Sequence, residues 1–142
     1  MMKFLNQAYL DTTYQVYLDS VECLDLRIGV YSETLADWLK SKFLDNWCVI
    51  TAFNPFSRAL SREENFARNA IMEKTLENLP VEVYKAKGIP SDDKWLAEDS
   101  FFVAGLVPDK FVELGIKFGQ NAIVLGNQSA IPELIWLVEV CD

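Results

Sequence analysis

The chain contains no histidine. That absence excludes Ser-His-Asp and Cys-His catalysis, imidazole acid–base chemistry and the common zinc enzymes. Positive charge is also scarce: 13 Lys and Arg stand against 21 Asp and Glu, leaving a formal charge of −8. Such a surface repels phosphate backbones and anionic lipid, so neither nucleic acid nor a membrane is an expected partner. Arg58, Arg62 and Arg68 come nearest to a basic cluster, but Glu63 and Glu64 interrupt them. Three arginines suit one anionic ligand or partner carboxylate better than a duplex.

Cysteine is sparse and odd in number. Cys23, Cys48 and Cys141 are scattered, with no two at metal-ligand spacing. They read as buried free thiols of a reducing cytosol, and no metal is expected. Gly105, Gly115, Gly119 and Gly126 are too dispersed for a phosphate loop. No run approaches the roughly 20 apolar residues of a membrane span, and Met1–Gln7 has no signal-like apolar segment. These absences together predict a soluble cytoplasmic protein without metal or cofactor.

What is present suffices for one compact core. The chain has 142 residues, about half of them apolar, including four Trp, five Tyr and nine Phe. A chain of this length buries about two-thirds of its unfolded surface in a single domain.

Residues 3–11 suggest a short helix with Phe4 and Ala8 inward. Tyr14–Leu18 and Val21–Ile28 alternate in polarity around Asp19-Ser20, as a hairpin with one solvated face does. Ser32 suits the N-cap of a helix over 33–43. Trp47–Phe53 is almost continuously apolar and reads as a buried strand ended by Asn54-Pro55.

Ser61 and Glu64 form a capping-box pattern for a helix over 62–79. Its apolar stripe of Met72, Leu76 and Leu79 extends back at helical spacing to Asn69 and Asn65, so two amides face inward. Val81–Ala86 follows as a strand. A polar loop from Gly88 to Asp99, anchored by Trp95, leads to the strand Phe101–Leu106. Pro108-Asp109 opens a helix with Phe111, Leu114, Gly115 and Phe118 on one face, Gly115 allowing close approach to the sheet. Ala122–Leu125 and Glu133–Val140 are the last strands.

The order predicts an α+β fold. Its centre is a ferredoxin-like β-α-β-β-α-β core, enlarged by the N-terminal hairpin and C-terminal strand, in a two-layer sandwich.

Two polar clusters interrupt the apolar strands: Thr51-Ala52-Phe53-Asn54-Pro55-Phe56-Ser57-Arg58 and Phe118-Gly119-Gln120-Asn121. If the strands bearing them pair antiparallel, the clusters meet. The candidate ligand-binding set is then Asn54, Ser57, Arg58, Asn65, Arg68, Gln120 and Asn121. Three of them also have a local explanation, whereas cap chemistry explains Gly119 but not the two amides that follow it. Asn54 suits turn chemistry, Arg58 a salt bridge to Glu63, Glu64 or a distant carboxylate, and Asn65 support of the 54–61 loop. Amides and guanidinium groups bind and orient but do not readily exchange protons near neutral pH. No catalytic residue stands out.

The segments Ile50–Arg58, Glu64-Asn65 with Arg68, and Phe118–Ile123 resemble an uncharacterised bacterial family, domain of unknown function 3293. The resemblance runs from about Tyr9 to Leu137, with Phe53 where the family often has Trp. It implies one compact bacterial domain and supplies no activity. The leading functional expectation is a module binding a small polar or anionic ligand. A domain that oligomerises or binds a protein partner through an exposed sheet edge, near Tyr14–Leu18 or Glu133–Val140, is the alternative. A histidine-independent enzyme, with Ser57, a cysteine or Glu64 as reacting group, is the third reading.

Overall fold

A computed structural model of the protein describes residues 2–19, 23–92 and 96–138, the first three as backbone only. Several expected features lie outside the described residues: the inward Phe4 side chain, Ser20 of the hairpin turn, Val21 and Glu22, the Trp95 anchor, Val140 and Cys141.

Four helices and seven strands are present among the described residues. They are α1 (Met2–Leu10), β1 (Thr13–Val16), β2 (Leu24–Leu26), α2 (Glu33–Lys42), β3 (Trp47–Ile50), α3 (Arg62–Glu77), β4 (Glu82–Ile89), β5 (Glu98–Ala104), α4 (Pro108–Lys117), β6 (Ala122–Gly126) and β7 (Glu133–Trp136). The strands form one sheet in the order β2-β1-β4-β5-β3-β6-β7, every neighbouring pair antiparallel. The fold is α+β.

Local rules account for most elements. Ser32 caps α2 by accepting from the Leu35 N–H. Ser61 and Glu64 make the full capping box of α3, each side chain bonding the other's backbone N–H. Pro108 occupies the first turn of α4.

Alternation along the strands sends successive side chains to opposite faces. Trp47 and Val49 of β3, Phe102 and Ala104 of β5, and Tyr84 and Ala86 of β4 join one cluster with Leu35, Ala36, Trp38 and Leu39 of α2. Cys48, Ile50, Phe101, Val103 and Ile123 join the other, with Met72 and Leu76 of α3 and Phe111, Leu114 and Phe118 of α4. Helices therefore cover both faces, and the expected two-layer arrangement is corrected. The α2 helix supplies its own apolar face, Leu35, Trp38 and Leu39, which has nowhere to go except the second face of the sheet.

The α2 cluster draws on residues of β1 through β6. One helix reaches so many strands because the sheet curls around it as a half-barrel. Backbone bonds from Gly29 to Pro132 and from Ser32 to Ala130 tie the β2 end of the chain to the β7 end across the opening.

Three further expectations change. The Tyr14 strand is not an edge, because β2 and β4 flank β1; the edges are β2 and β7. The Gly88–Asp99 loop is shorter than its polarity suggested, since β4 runs through Ile89 and β5 starts at Glu98. Pairing across an eight-residue strand overrides the local signals of glycine and charge. Finally, Cys23 is exposed while Cys48 is buried. Gly115 does approach the sheet end closely: a Cβ there would run into the Leu137 and Ile123 side chains.

Candidate functional site

The β3 strand leaves the sheet at Ile50, and its continuation meets the start of β6. The register Cys48↔Leu125 and Val49↔Val124 runs antiparallel, so residues after Ile50 advance toward Gln120 and Asn121. The two polar clusters thus share one end of the sheet.

The inward amides of α3 meet this chain first. The Asn69 Oδ1 accepts from the Ala52 N–H at 2.8 Å, and its Nδ2 donates to the Asp99 carbonyl at 2.8 Å. One turn earlier, Asn65 accepts from the Asn54 N–H and donates to the Asn54 Oδ1, both at 2.8 Å. Asn54 in turn accepts from the Leu60 N–H at 3.0 Å and donates to Glu98 Oε1 at 3.1 Å. Buried amides must be satisfied, and Asn65 and Asn69, both buried, are satisfied by the loop they hold.

Arg68 bridges the two clusters. Its Nε donates to the Ala52 carbonyl at 2.7 Å and its Nη2 to the Phe118 carbonyl. Gln120, also buried, donates from Nε2 to the carbonyls of Phe53 and Phe118 at 3.1 and 3.3 Å. The Phe56 N–H bonds the Gly119 carbonyl at 2.7 Å. Gly119 has φ +70°, and a Cβ there would stand 2.9 Å from the Pro55 Cβ, so only glycine fits this turn.

The clamped loop is strained. Asn54, Phe56 and Ser57 all have positive φ, at 46°, 55° and 59°. Three non-glycine residues in the left-handed region within four positions is uncommon. The strained turn sets the Ser57 Oγ to accept from Asn121 Nδ2 at 2.7 Å. Arg58 follows, exposed. Among the described residues its guanidinium has no ion pair; the expected pairing with Glu63 or Glu64 is absent.

Six of the seven candidate residues are thereby linked through this loop and the 118–121 segment. Asn54, Asn65, Arg68 and Gln120 spend their polar atoms on the protein itself, while Ser57 and Asn121 lie at the rim. Arg58 follows Ser57 in the chain and is exposed.

Residues that the sequence did not single out complete the surroundings. Glu98 touches the cluster through Asn54, and burial pushes its carboxyl above the usual range despite that hydrogen bond. Burial raises the Tyr9 phenol to about 12, with the Glu98 charge adding to the rise and the Ser57 hydroxyl opposing it. Burial also raises Tyr14, helped by Tyr9 and Glu98. Glu98 sits in a run of acidic and polar residues, so nothing local distinguishes it. Only the start of β5 and the arrival of α1 bring it to this position.

An open groove of about 410 Å³ lies elsewhere, between α3 and the β4–β5 strands. Its charges are already paired in part, Lys85 with Glu73 at 2.8 Å. It does not include Ser57, Arg58 or Asn121.

A family model described as protein of unknown function, DUF3293, matches residues 50–123. The chain belongs to the DUF3293 family. The DUF3293 match begins at the end of β3 and closes at the start of β6, so it contains the strained loop, α3 and the 118–121 clamp. It is narrower than the resemblance read from Tyr9 to Leu137, and Tyr9 and Tyr14 lie outside it. No curated protein and no solved structure matches the chain. Among the described residues no helix is long and apolar enough to cross a membrane.

Proposed function

We propose that this DUF3293 protein is a binding module for a small polar or anionic ligand, held at the rim of the 54–58 and 118–121 segments. The observation that carries this reading is the strained loop. Each non-glycine residue in the left-handed region costs on the order of 1–3 kcal/mol and persists only where its surroundings over-determine it. Here Asn65, Arg68 and Gln120 supply that constraint. The outcome is the Ser57 hydroxyl against the Asn121 amide, followed in the chain by the exposed Arg58, which forms no ion pair among the described residues, just before the N-terminus of α3. A planar guanidinium and a helix N-terminus both favour carboxylate or phosphate oxygens. In this division Asn54, Asn65, Arg68 and Gln120 form the support, and Ser57, Arg58 and Asn121 contact the ligand.

Thermal unfolding in the presence of phosphate, citrate or glutamate tests the reading. Wild-type protein is expected to gain stability with at least one of these anions. Arg58→Ala is expected to unfold at the wild-type temperature in buffer and to lose that gain. An Arg58→Ala protein that responds like wild type sinks the proposal.

The edge strand β7 favours partner binding as a second reading, since an edge offers unpaired backbone groups to another chain. Light scattering across a concentration series distinguishes self-association from a monomer.

We infer in addition that β3-α3-β4-β5-α4-β6 is a ferredoxin-like core. The strand order β4-β5-β3-β6 and the shared burial of α3 and α4 support it. An experimental structure is expected to have two right-handed crossovers. The free thiols of Cys23 and Cys48 support a reducing, cytoplasmic setting.

A further inference from the structure

Glu98 is a half-buried carboxyl that forms no ion pair among the described residues. Strand register sets its neighbours. Glu98 on β5 is level with Gly88 on β4, which is level with Tyr14 on β1. Alternation from Phe102 through Ser100 points Glu98 to the concave, α2-facing side, where Tyr14 also lies. The Tyr14 ring lies over Gly88, where a Cβ would meet its Cε1 at 3.7 Å. Trp136 is paired with Ala122, two residues from Val124 of the same face. Tyr9 arrives from α1 and meets the Trp136 ring edge-on, with centroids 5.5 Å apart and planes at 88°. Asn54 Nδ2 fixes Glu98 Oε1 at 3.1 Å.

Among the described residues no lysine or arginine forms an ion pair with Glu98. The register sets Glu98 beside the Tyr14 ring, and its charge adds to the rise of both the Tyr14 and Tyr9 phenols. Glu98, Tyr9 and Trp136 are each half-buried, so part of each stays open to solvent. A carboxylate withdrawn from water without a counter-ion is costly. Aromatic rings attract cations at their faces, most strongly where water is excluded.

We propose that Glu98, with Tyr9, Tyr14 and Trp136, forms a binding site for an organic ammonium ion, the head group of a primary or quaternary amine. Glu98 supplies the counter-charge and the rings enclose the alkyl ammonium. Asn54 positions the carboxylate. This site faces the concave side of the sheet and does not depend on anion binding at Arg58.

Titration of the full chain with choline, with ethylammonium and with 3,3-dimethyl-1-butanol, the neutral isostere of choline, tests it by two-dimensional NMR. Saturable shifts are expected at the Trp136 indole N–H and the Glu98 amide with at least one cation, and none with the alcohol. Choline alone identifies a quaternary head group; ethylammonium alone identifies a primary amine. Glu98→Gln keeps the acceptor for Asn54 and is expected to weaken binding by about ten-fold or more, the loss of one desolvated charge contact. Tyr9→Leu preserves apolar bulk on α1 and is expected to weaken it as well, which decides the matter should Glu98→Gln lose its dispersed spectrum. Absence of saturable shifts with both cations overturns the proposal. So does an equal response to the neutral alcohol, or unaltered affinity in a folded Glu98→Gln.

Discussion

At the scale of the residue, seemingly alike polar side chains have different tasks. Asn65 is buried and both ends of its amide are spent on Asn54. Asn65→Ala orphans the Asn54 N–H and releases the loop, with an expected loss of about 2–3 kcal/mol in urea unfolding. Arg58→Ala removes an exposed side chain that forms no ion pair among the described residues and is expected to stay within about 0.5 kcal/mol of wild type. Equal losses for the two variants would contradict the split between support and rim. The cysteines divide in the same way. Cys48 is fully buried in β3, and burial raises its thiol well above the usual value. A thiol reagent is expected to modify Cys23 in the folded protein and Cys48 only after denaturation, as read by peptide mass mapping.

At the scale of the element, close packing makes two strand glycines unequal. A Cβ on Gly126 of β6 would collide with the Trp47 ring, which is itself stacked on Phe102 and fixed through its Nε1 to the Asn127 carbonyl at 2.9 Å. A Cβ on Gly88 of β4 meets the Tyr14 ring at ordinary contact distance. Gly126→Ala is therefore expected to cost about 1–3 kcal/mol through overpacking. Gly88→Ala is expected to be neutral or to stabilise by up to about 1 kcal/mol, since alanine loses less backbone entropy on folding. Paired denaturation curves measure both. The α3 boundaries were legible because the capping box and the Met72–Leu76 stripe lie within one element. The strand ends were less so: β3 stops at Ile50 because Asn69 and Arg68 of α3 take over the hydrogen bonding of Ala52.

At the scale of the whole molecule, the curl of the sheet and the arrival of α1 make Glu98 a pH-sensitive group. Burial raises its folded-state pKa above the unfolded value, so the folded protein binds this proton more tightly than the unfolded chain. Its stabilising contribution is full below the ordinary carboxylate range and falls as pH rises through the folded value. Glu98→Gln cannot ionise. The variant is expected to be more stable than wild type at neutral pH, with the gap narrowing as the solution is acidified. Urea midpoints of both proteins over a pH series measure this; a gap that widens toward acid contradicts it.

The sequence by itself determined the order of helices and strands, the capping box at Ser61 and Glu64, and the inward phase of Asn65 and Asn69, and it made the meeting of the loop after β3 with Gln120 and Asn121 conditional on an antiparallel pairing that the sheet supplies. These follow from periodicity, capping chemistry and the order of a few elements, all of which act over short stretches of chain. Tertiary structure alone decided that α2 would fill the second face and that Arg68 would spend its guanidinium on two backbone carbonyls. It alone brought Glu98 to Tyr9 and Tyr14. Those outcomes depend on which distant segments the curled sheet sets side by side, and neither the charge of a side chain nor its spacing along the chain carries that information.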